Sequence, residues 1–174
     1  MKKQSKPLFL LYMLCTCLIF SACNPKEAYR PSLYTKEEVL CLYYENLELF
    51  ESLVRVISSN EEFYEKGRIN EHTDADIISP DDEALIYFDD GERKVIDTFF
   101  GFKPYMILYD YARRFVKITF IAAETESADS YTLLFWIANV ENSEVKFNNH
   151  KKYLAQRYVV EDINSGCIMF YMPT

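Results

Sequence analysis

The sequence is poor in the residues on which most recognisable active sites depend. Its 174 residues include only four glycines and two histidines, His72 and His150. Neither histidine has a second histidine or a cysteine at the spacing of metal ligands. The nucleophile-elbow, zincin and phosphate-loop motifs do not occur either. The sequence therefore predicts no cofactor and no metal ion, and it favours a protein without catalytic activity over an enzyme.

Cysteine is also scarce once the N-terminal segment is set aside. Cys15 and Cys17 lie in that segment and Cys23 follows it, so that Cys41 and Cys167 remain. An exported compartment would permit a disulfide between these two residues. On a predicted helix, however, Cys41 projects about 200° away from Val39 and toward the polar side. We therefore expect two unpaired thiols.

The chain begins with an uncharged run that is too short to span a membrane. Residues 7–20 carry no charge, whereas a spanning helix needs roughly 20 apolar residues. Three lysines lie in the six residues before this run, and the small residues Ser21 and Ala22 follow it. A basic start, a short apolar run and small residues at its end predict a secretory signal peptide over residues 1–22.

The end of this segment, Phe20-Ser21-Ala22-Cys23, resembles the lipobox of bacterial lipoproteins, in which Leu is usual where this chain has Phe20. The resemblance implies cleavage before Cys23 and attachment of a diacylglycerol to its thiol. Two acyl chains are enough for stable anchoring. Residues 23–34 would then tether a domain to the membrane of the cell envelope, outside the cytoplasm. An ordinary signal peptide and an uncut anchor helix are the alternatives.

Positive charge is under-represented in the remaining domain. The whole chain has 19 basic and 27 acidic residues, a net charge of −8. Removal of residues 1–22 takes away Lys2, Lys3 and Lys6, which leaves 16 basic residues and a net charge of −11. Such a domain has no electrostatic basis for binding nucleic acid, whereas its charge suits a basic protein partner.

Helical signals begin directly after the predicted tether. Thr35-Lys36-Glu37-Glu38 fits a capping box, and we expect the helix to run from Thr35 to about Ser58. Its apolar side chains recur at helical spacing and comprise Val39, Tyr43, Leu47, Phe50, Leu53, Val54 and Ile57. Residues 60–66 predict a second, short helix that ends at Gly67.

The most polar stretch is residues 68–83, which contain Glu71, Asp74, Asp76, Asp81, Asp82 and Glu83. Their spacing does not fit a calcium-binding loop, and no glycine provides its turn. We therefore expect a solvated acidic loop, and we take these six acids as candidate partner-binding residues. Residues 80–100 are expected to be helical with a bend near Asp90-Gly91, the alternative being a strand at Leu85–Phe88 followed by a turn.

After Lys103 the apolar residues recur at every second position rather than at helical spacing. The predicted strands are Tyr105–Tyr109, Phe115–Ala122, Tyr131–Val140, Gln156–Glu161 and Cys167–Met172, with a hairpin turn at Asn164-Ser165-Gly166. Helices followed by antiparallel strands predict one α+β domain over residues 35–174, with the helices packed on a four- to five-stranded antiparallel sheet. This layout resembles that of small uncharacterised lipoproteins of Gram-positive gut bacteria, and the resemblance implies no particular activity.

These features predict a membrane-anchored lipoprotein that acts as a binding or interaction module. One alternative is an acidic inhibitor or immunity-type partner of a basic protein, to which the helix acids Glu37, Glu48 and Glu51 would contribute. Another is an envelope hydrolase that uses paired carboxylates. Six aromatic residues lie on or beside the predicted strands, namely Tyr105, Tyr109, Tyr111, Phe115, Tyr131 and Trp136. We expect these residues to pack in the core, the alternative being that they form a binding platform on an uncovered sheet face.

Overall fold

The structure, a computed structural model, describes residues 29–66, 74–77, 79–110, 113–124, 126–137 and 143–173. The predicted signal peptide and Cys23 lie outside the described residues. The described ranges contain five α-helices, one 3-10 helix and seven strands. The α-helices are α1 (Lys36–Glu45), α2 (Leu47–Ser59), α3 (Glu61–Lys66), α4 (Asp90–Phe100) and α5 (Ser143–Leu154). The 3-10 helix covers Glu83–Tyr87.

The strands form a single sheet. They are β1 (Leu33–Tyr34), β2 (Asp74–Ile77), β3 (Met106–Asp110), β4 (Phe115–Ala122), β5 (Ser130–Trp136), β6 (Val159–Asn164) and β7 (Cys167–Tyr171). Their order is β2-β3-β4-β5-β7-β6, and all of these neighbours are antiparallel. The two-residue β1 is parallel to the end of β4. The α+β fold is confirmed, with seven strands in place of the expected four or five.

The two additional strands come from segments that were predicted to be irregular. Leu33 and Tyr34 belong to the predicted tether, but they pair with Ile121 and Ala122 of β4. Tyr29 also packs edge-on against Phe100 at 5.4 Å between ring centroids. The tether prediction is therefore wrong for residues 29–34, because buried aromatic contacts and backbone hydrogen bonds fasten this segment to the domain.

The helix predicted from Thr35 to Ser58 is present but divided at Asn46. Its capping box is confirmed: Oγ1 of Thr35 accepts the backbone N–H of Glu38 at 3.2 Å, and Glu38 accepts the N–H of Thr35 at 2.8 Å. At Asn46 the backbone leaves the helical region (φ −127°, ψ 31°) and the side-chain amide donates to the carbonyl of Leu42 at 2.9 Å. Asparagine side chains compete in this way with backbone helical bonds, which explains the break.

The favoured prediction for residues 80–100 is confirmed for the 3-10 helix Glu83–Tyr87 and for α4, and the alternative strand at Leu85–Phe88 is wrong. The break falls at Phe88 and Asp89 rather than at Asp90-Gly91. The reason is a second capping box. Asp89 accepts the N–H of Glu92 at 2.8 Å and Glu92 accepts the N–H of Asp89 at 3.1 Å, so a new helix begins here.

The main core lies between one face of the sheet and helices α1 to α4. Alternate residues of β4, from Val116 to Ala122, point into this core, as the period of two predicts. Aromatic rings fill much of it. Phe50 of α2 contacts Phe99 of α4 edge-on at 4.9 Å and lies 5.3 Å from Tyr43. This layer therefore covers one face of the sheet.

A smaller core lies on the opposite face. Phe115, Leu134 and Ile168 point to this side from three neighbouring strands and are buried beneath Phe147 and Leu154 of α5. The sequence pattern predicts no element between the strands Tyr131–Val140 and Gln156–Glu161, so this helix was not foreseen. Because α5 is seated on a sheet face, grooves form along both of its sides.

Candidate binding site

Helix α5 is fixed to the sheet by a small number of aromatic contacts. The ring of Phe147 meets Phe115 edge-on at 6.0 Å and stacks on Trp136 at 5.7 Å, with an angle of 21° between the planes. Phe147 and Leu154 are buried, whereas most of the remaining α5 side chains are exposed. The helix therefore presents polar groups to a groove on each of its flanks.

The first groove, here called the Trp136 groove, lies between α5 and the β6–β7 hairpin. Its volume is about 670 Å³, within the range of about 300–1,000 Å³ that is usual for small-molecule sites. Two aromatic side chains and six polar ones line it: Trp136, Phe147, Glu144, Asn148, Lys151, Asp162, Asn164 and Ser165. The groove thus combines an aromatic wall with a rim of donors and acceptors.

Trp136 is the only tryptophan in the sequence. It lies at the end of the central strand β5, where the β6–β7 turn and α5 come together. Within the described residues, its indole Nε1 is a buried nitrogen with no hydrogen-bond partner. An unsatisfied buried donor costs roughly 1–3 kcal/mol. The N–H is therefore a donor for which the described residues supply no acceptor.

Trp136 also borders a smaller cleft of about 320 Å³ on the main-core side of the sheet. Glu51 and Arg55 of α2 lie on its wall, and Cys167 lies at its base. Burial raises the pKa of the Cys167 thiol well above its usual range, so this sulfur is a neutral packing group rather than a nucleophile. The tryptophan consequently separates two depressions at the same end of the sheet.

The polar rim of the Trp136 groove is partly ordered by internal bonds. Lys151 of α5 forms an ion pair with Asp162 of β6 across the groove. Asn164 donates to the hydroxyl of Tyr43 at 2.6 Å and accepts the N–H of Gly166 at 2.8 Å. These contacts hold the β6–β7 turn in place, so that the rim is preorganised.

The carboxylates of this groove do not form a catalytic pair. Glu144 is exposed, and the Asp162 side chain is 65% exposed and paired with Lys151. A carboxyl group that acts as a general acid near neutral pH needs a site that favours its protonated form, usually through burial. The groove provides no such site, and the hydrolase alternative gains no support from it.

The second groove, here called the Arg113 groove, lies on the other flank of α5. It has a volume of about 350 Å³ and is lined by Arg113, Lys146, Asn149, His150 and Tyr153. The imidazole of His150 is 5.0 Å from the ring of Phe115 and 6.0 Å from that of Tyr153. Burial, followed by the positive charges of Lys117 and Arg113, lowers the pKa of His150 below its usual value.

A buried carboxylate lies beneath this groove. The side chain of Asp110 has no solvent exposure, and it accepts the backbone N–H of Arg113 at 3.0 Å and Nη1 of the same residue at 2.8 Å. Lys117 approaches it at 3.4 Å. Burial by itself raises the pKa of Asp110, but the bonds from Arg113 and the charge of Lys117 outweigh it and lower this pKa. Asp110 is therefore ionised at neutral pH.

The structure distributes the six predicted acidic site residues over different elements. Glu71 lies outside the described residues. Asp74 and Asp76 belong to the edge strand β2, so the prediction of a single acidic loop is wrong at residues 74–77. Hydrogen bonds to β3 explain the difference, because they draw this short segment into the sheet. Asp82 caps the 3-10 helix by accepting the N–H of Ala84 at 2.9 Å, and Asp81 and Glu83 beside it are exposed.

The strand aromatics mostly serve as core, as expected. Tyr109 and Tyr131 are buried in the main core and Phe115 is buried under α5, whereas Tyr105 is 50% exposed. Tyr111 lies outside the described residues. Among the five of these aromatics that the structure describes, Trp136 alone borders both the Trp136 groove and the smaller cleft beside Cys167. Its position at the end of a central strand was the sequence feature that could have indicated this role.

The remaining observations concern the cysteines, the metal-ligating side chains and the helix lengths. Cys41 is exposed and Cys167 is buried, and the two are unpaired, as predicted. In the described ranges, no group of three or more His, Cys, Asp or Glu side chains is placed to hold a metal ion. None of the helices described here is long and apolar enough to cross a membrane.

Comparison with known proteins gives no relative for this chain: no family model, no curated protein and no solved structure matches it.

Proposed function

We propose that this chain is a membrane-anchored binding module of a bacterial cell envelope, with the Trp136 groove as its ligand site. The observation that carries the proposal is the groove itself, which joins the aromatic wall of Trp136 and Phe147 to a preorganised polar rim. The location rests on the lipobox-like sequence that ends at Cys23, to which an acyl anchor would be attached.

The composition of the groove favours a hydroxyl-rich ligand such as a neutral oligosaccharide. Its rim offers carboxylate and amide acceptors together with amide and ammonium donors. Hydroxyl groups are matched to such a rim because each of them both donates and accepts hydrogen bonds. The stacked rings of Trp136 and Phe147 add an apolar wall for the C–H faces of a sugar ring. A strongly apolar ligand would leave this rim unpaired.

Fluorescence provides a direct test, because the single tryptophan reports on the proposed site. The purified chain is titrated with a panel of neutral oligosaccharides, and a saturable change in Trp136 emission is expected with at least one of them. Asp162→Ala and Asn148→Ala remove rim groups and should weaken that response. Lys152→Ala is the matched control, since this exposed residue lies on α5 but does not line the groove.

Two results would refute the assignment of the groove. One is a folded chain whose emission does not respond to any sugar of the panel. The other is a response that Asp162→Ala leaves at full strength. The anchor is tested separately with Cys23→Ala, which should move the protein from the membrane fraction to the soluble fraction and abolish the lipid-dependent mass. Unchanged mass and membrane retention of this variant would contradict lipidation.

A second candidate function is binding of a basic protein, and the exposed residue Ile86 favours it. This side chain is 67% exposed on the 3-10 helix. The nearby acids Glu83, Asp89 and Asp90 are exposed as well. An exposed apolar side chain with exposed acids close to it in the sequence fits a basic partner with an apolar pocket. Capture of a basic protein should then be lost at high salt and after Ile86→Ser, but not after the same change at exposed Leu33.

A further inference from the structure

We propose that the Arg113 groove is a binding site for a phosphate group. The groove lies on the opposite flank of α5 from the Trp136 groove, and the inference does not depend on that site. It concerns a local basic surface on a chain whose overall charge is −8. Composition alone predicts no affinity for anions, so the assignment follows from the arrangement of the side chains.

The side chains that line the groove are donors of several kinds. Arg113 contributes a guanidinium group, Lys146 an ammonium group, Asn149 an amide and Tyr153 a phenol, and none of the described residues that line the groove is a carboxylate. Guanidinium and ammonium groups are the side chains that proteins most often use for phosphate. A phosphate group presents three strong acceptor oxygens, which suits donors that approach it from two sides of a groove.

The buried Asp110 gives Arg113 a fixed position. Its carboxylate binds both the backbone N–H and Nη1 of Arg113, at 3.0 and 2.8 Å. The Arg113 side chain is nevertheless 54% exposed, so much of it reaches the groove. Lys117 approaches the same carboxylate at 3.4 Å, so that Asp110 has both cations beside it. The base of the groove remains favourable for an anion.

His150 places a sensitive reporter inside the groove. The charged groups that act on it are Lys117 and Arg113, which disfavour its protonation, and Asp110, which favours it. Lys146 shares the groove from one turn earlier on α5, and the Tyr153 ring stacks on the imidazole. A phosphate bound here would offset the two cations, so the pKa of His150 should rise when the site is filled.

The test follows the imidazole signal of His150 by NMR in the full-length chain. The signal is assigned by its loss in His150→Gln. Inorganic phosphate should raise the pKa of His150 in a saturable way, whereas chloride at the same ionic strength should not. Lys146→Ala should weaken phosphate binding about tenfold, as expected for one charge-assisted hydrogen bond. Lys152→Ala, an exposed lysine of the same helix outside the groove, should leave it unchanged.

Two arms identify the source of the phosphate. The chain is placed in phosphatidylcholine nanodiscs with and without phosphatidylglycerol, and separately titrated with glycerol phosphate. A His150 response to phosphatidylglycerol supports the site and assigns it to a lipid headgroup, whereas a response only to the soluble compounds supports it as a site for a free phosphate. Equal effects of phosphate and chloride, or equal losses in Lys146→Ala and Lys152→Ala, would overturn the proposal.

Discussion

Replacing Asp110 with asparagine tests the charge arrangement on which the Arg113 groove depends. The Asp110 side chain is fully buried, whereas its partners Arg113 and Lys117 are 54% and 21% exposed. Asparagine has nearly the same shape but no charge. The substitution removes the negative charge that Asp110 presents to two cations, and it can direct an amide N–H₂ group toward donors. We therefore expect Asp110→Asn to fold and to be less stable than the wild type.

The size of this effect follows from the exposure of the partners. Removing one member of a fully buried ion pair costs about 3–5 kcal/mol, because the other charge is left unpaired. Here both cations reach solvent, which lowers that cost. The asparagine oxygen can also keep the bond from the backbone N–H of Arg113, now 3.0 Å from the carboxylate. We expect the free energy of unfolding to fall by about 2 kcal/mol at neutral pH.

The same substitution predicts a dependence on pH. The pKa of Asp110 is lowered from its ordinary value of 3.8 in the folded chain. A lowered pKa contributes stability that is fully present above the unfolded value and is lost as the pH falls through the folded value. The wild type should therefore lose this contribution in acid, whereas Asp110→Asn has none to lose. The difference between them should shrink below about pH 4.

Urea unfolding at a series of pH values, followed by Trp136 fluorescence, measures both effects. Asp97→Asn is the control, because this exposed aspartate of α4 should change the free energy of unfolding by no more than about 0.5 kcal/mol. Equal stability of Asp110→Asn and wild type at neutral pH would refute the reasoning. A stability difference that persists unchanged in acid would show that charge is not its cause.

Three further predictions concern the main core. Phe50→Ala should lower the free energy of unfolding by about 3–5 kcal/mol in thermal or urea melts, far more than Leu47→Ala, since Phe50 is 0% and Leu47 39% exposed. Burial raises the pKa of Tyr43 to about 12, so the contribution of this residue to stability should be constant between neutral pH and about pH 10 and should be lost above that. Tyr43→Phe should therefore make the fall in stability at high pH shallower. Alkylation followed by mass spectrometry should modify exposed Cys41 in the native chain and buried Cys167 only on unfolding, and equal rates would contradict the described burial.

The parts of the fold that were predictable are those with strong local signals. The capping box at Thr35 and the alternating residues of β4 specify a helix start and a two-faced strand without help from the rest of the chain. The short strands β1 and β2 are different, since two and four residues carry no usable period. Each of them is held in the sheet by pairing with a longer strand that lies elsewhere in the chain, β4 for β1 and β3 for β2.

The site was missed because it depends on α5, whose apolar stripe is unusually narrow. Among the side chains of this helix that the structure describes, Phe147 and Leu154 alone are buried, with the half-buried His150 between them at helical spacing. The charge pattern carried a clearer signal, with an acid in the first turn and two lysines in the last, matching the helix dipole. A stripe this narrow is enough to seat a helix on a sheet that already supplies Phe115 as its apolar partner. It also leaves the flanks of the helix polar, and this polarity gives the two grooves their donors and acceptors. The weakness of the helix signal and the chemical character of the candidate sites thus have the same physical cause.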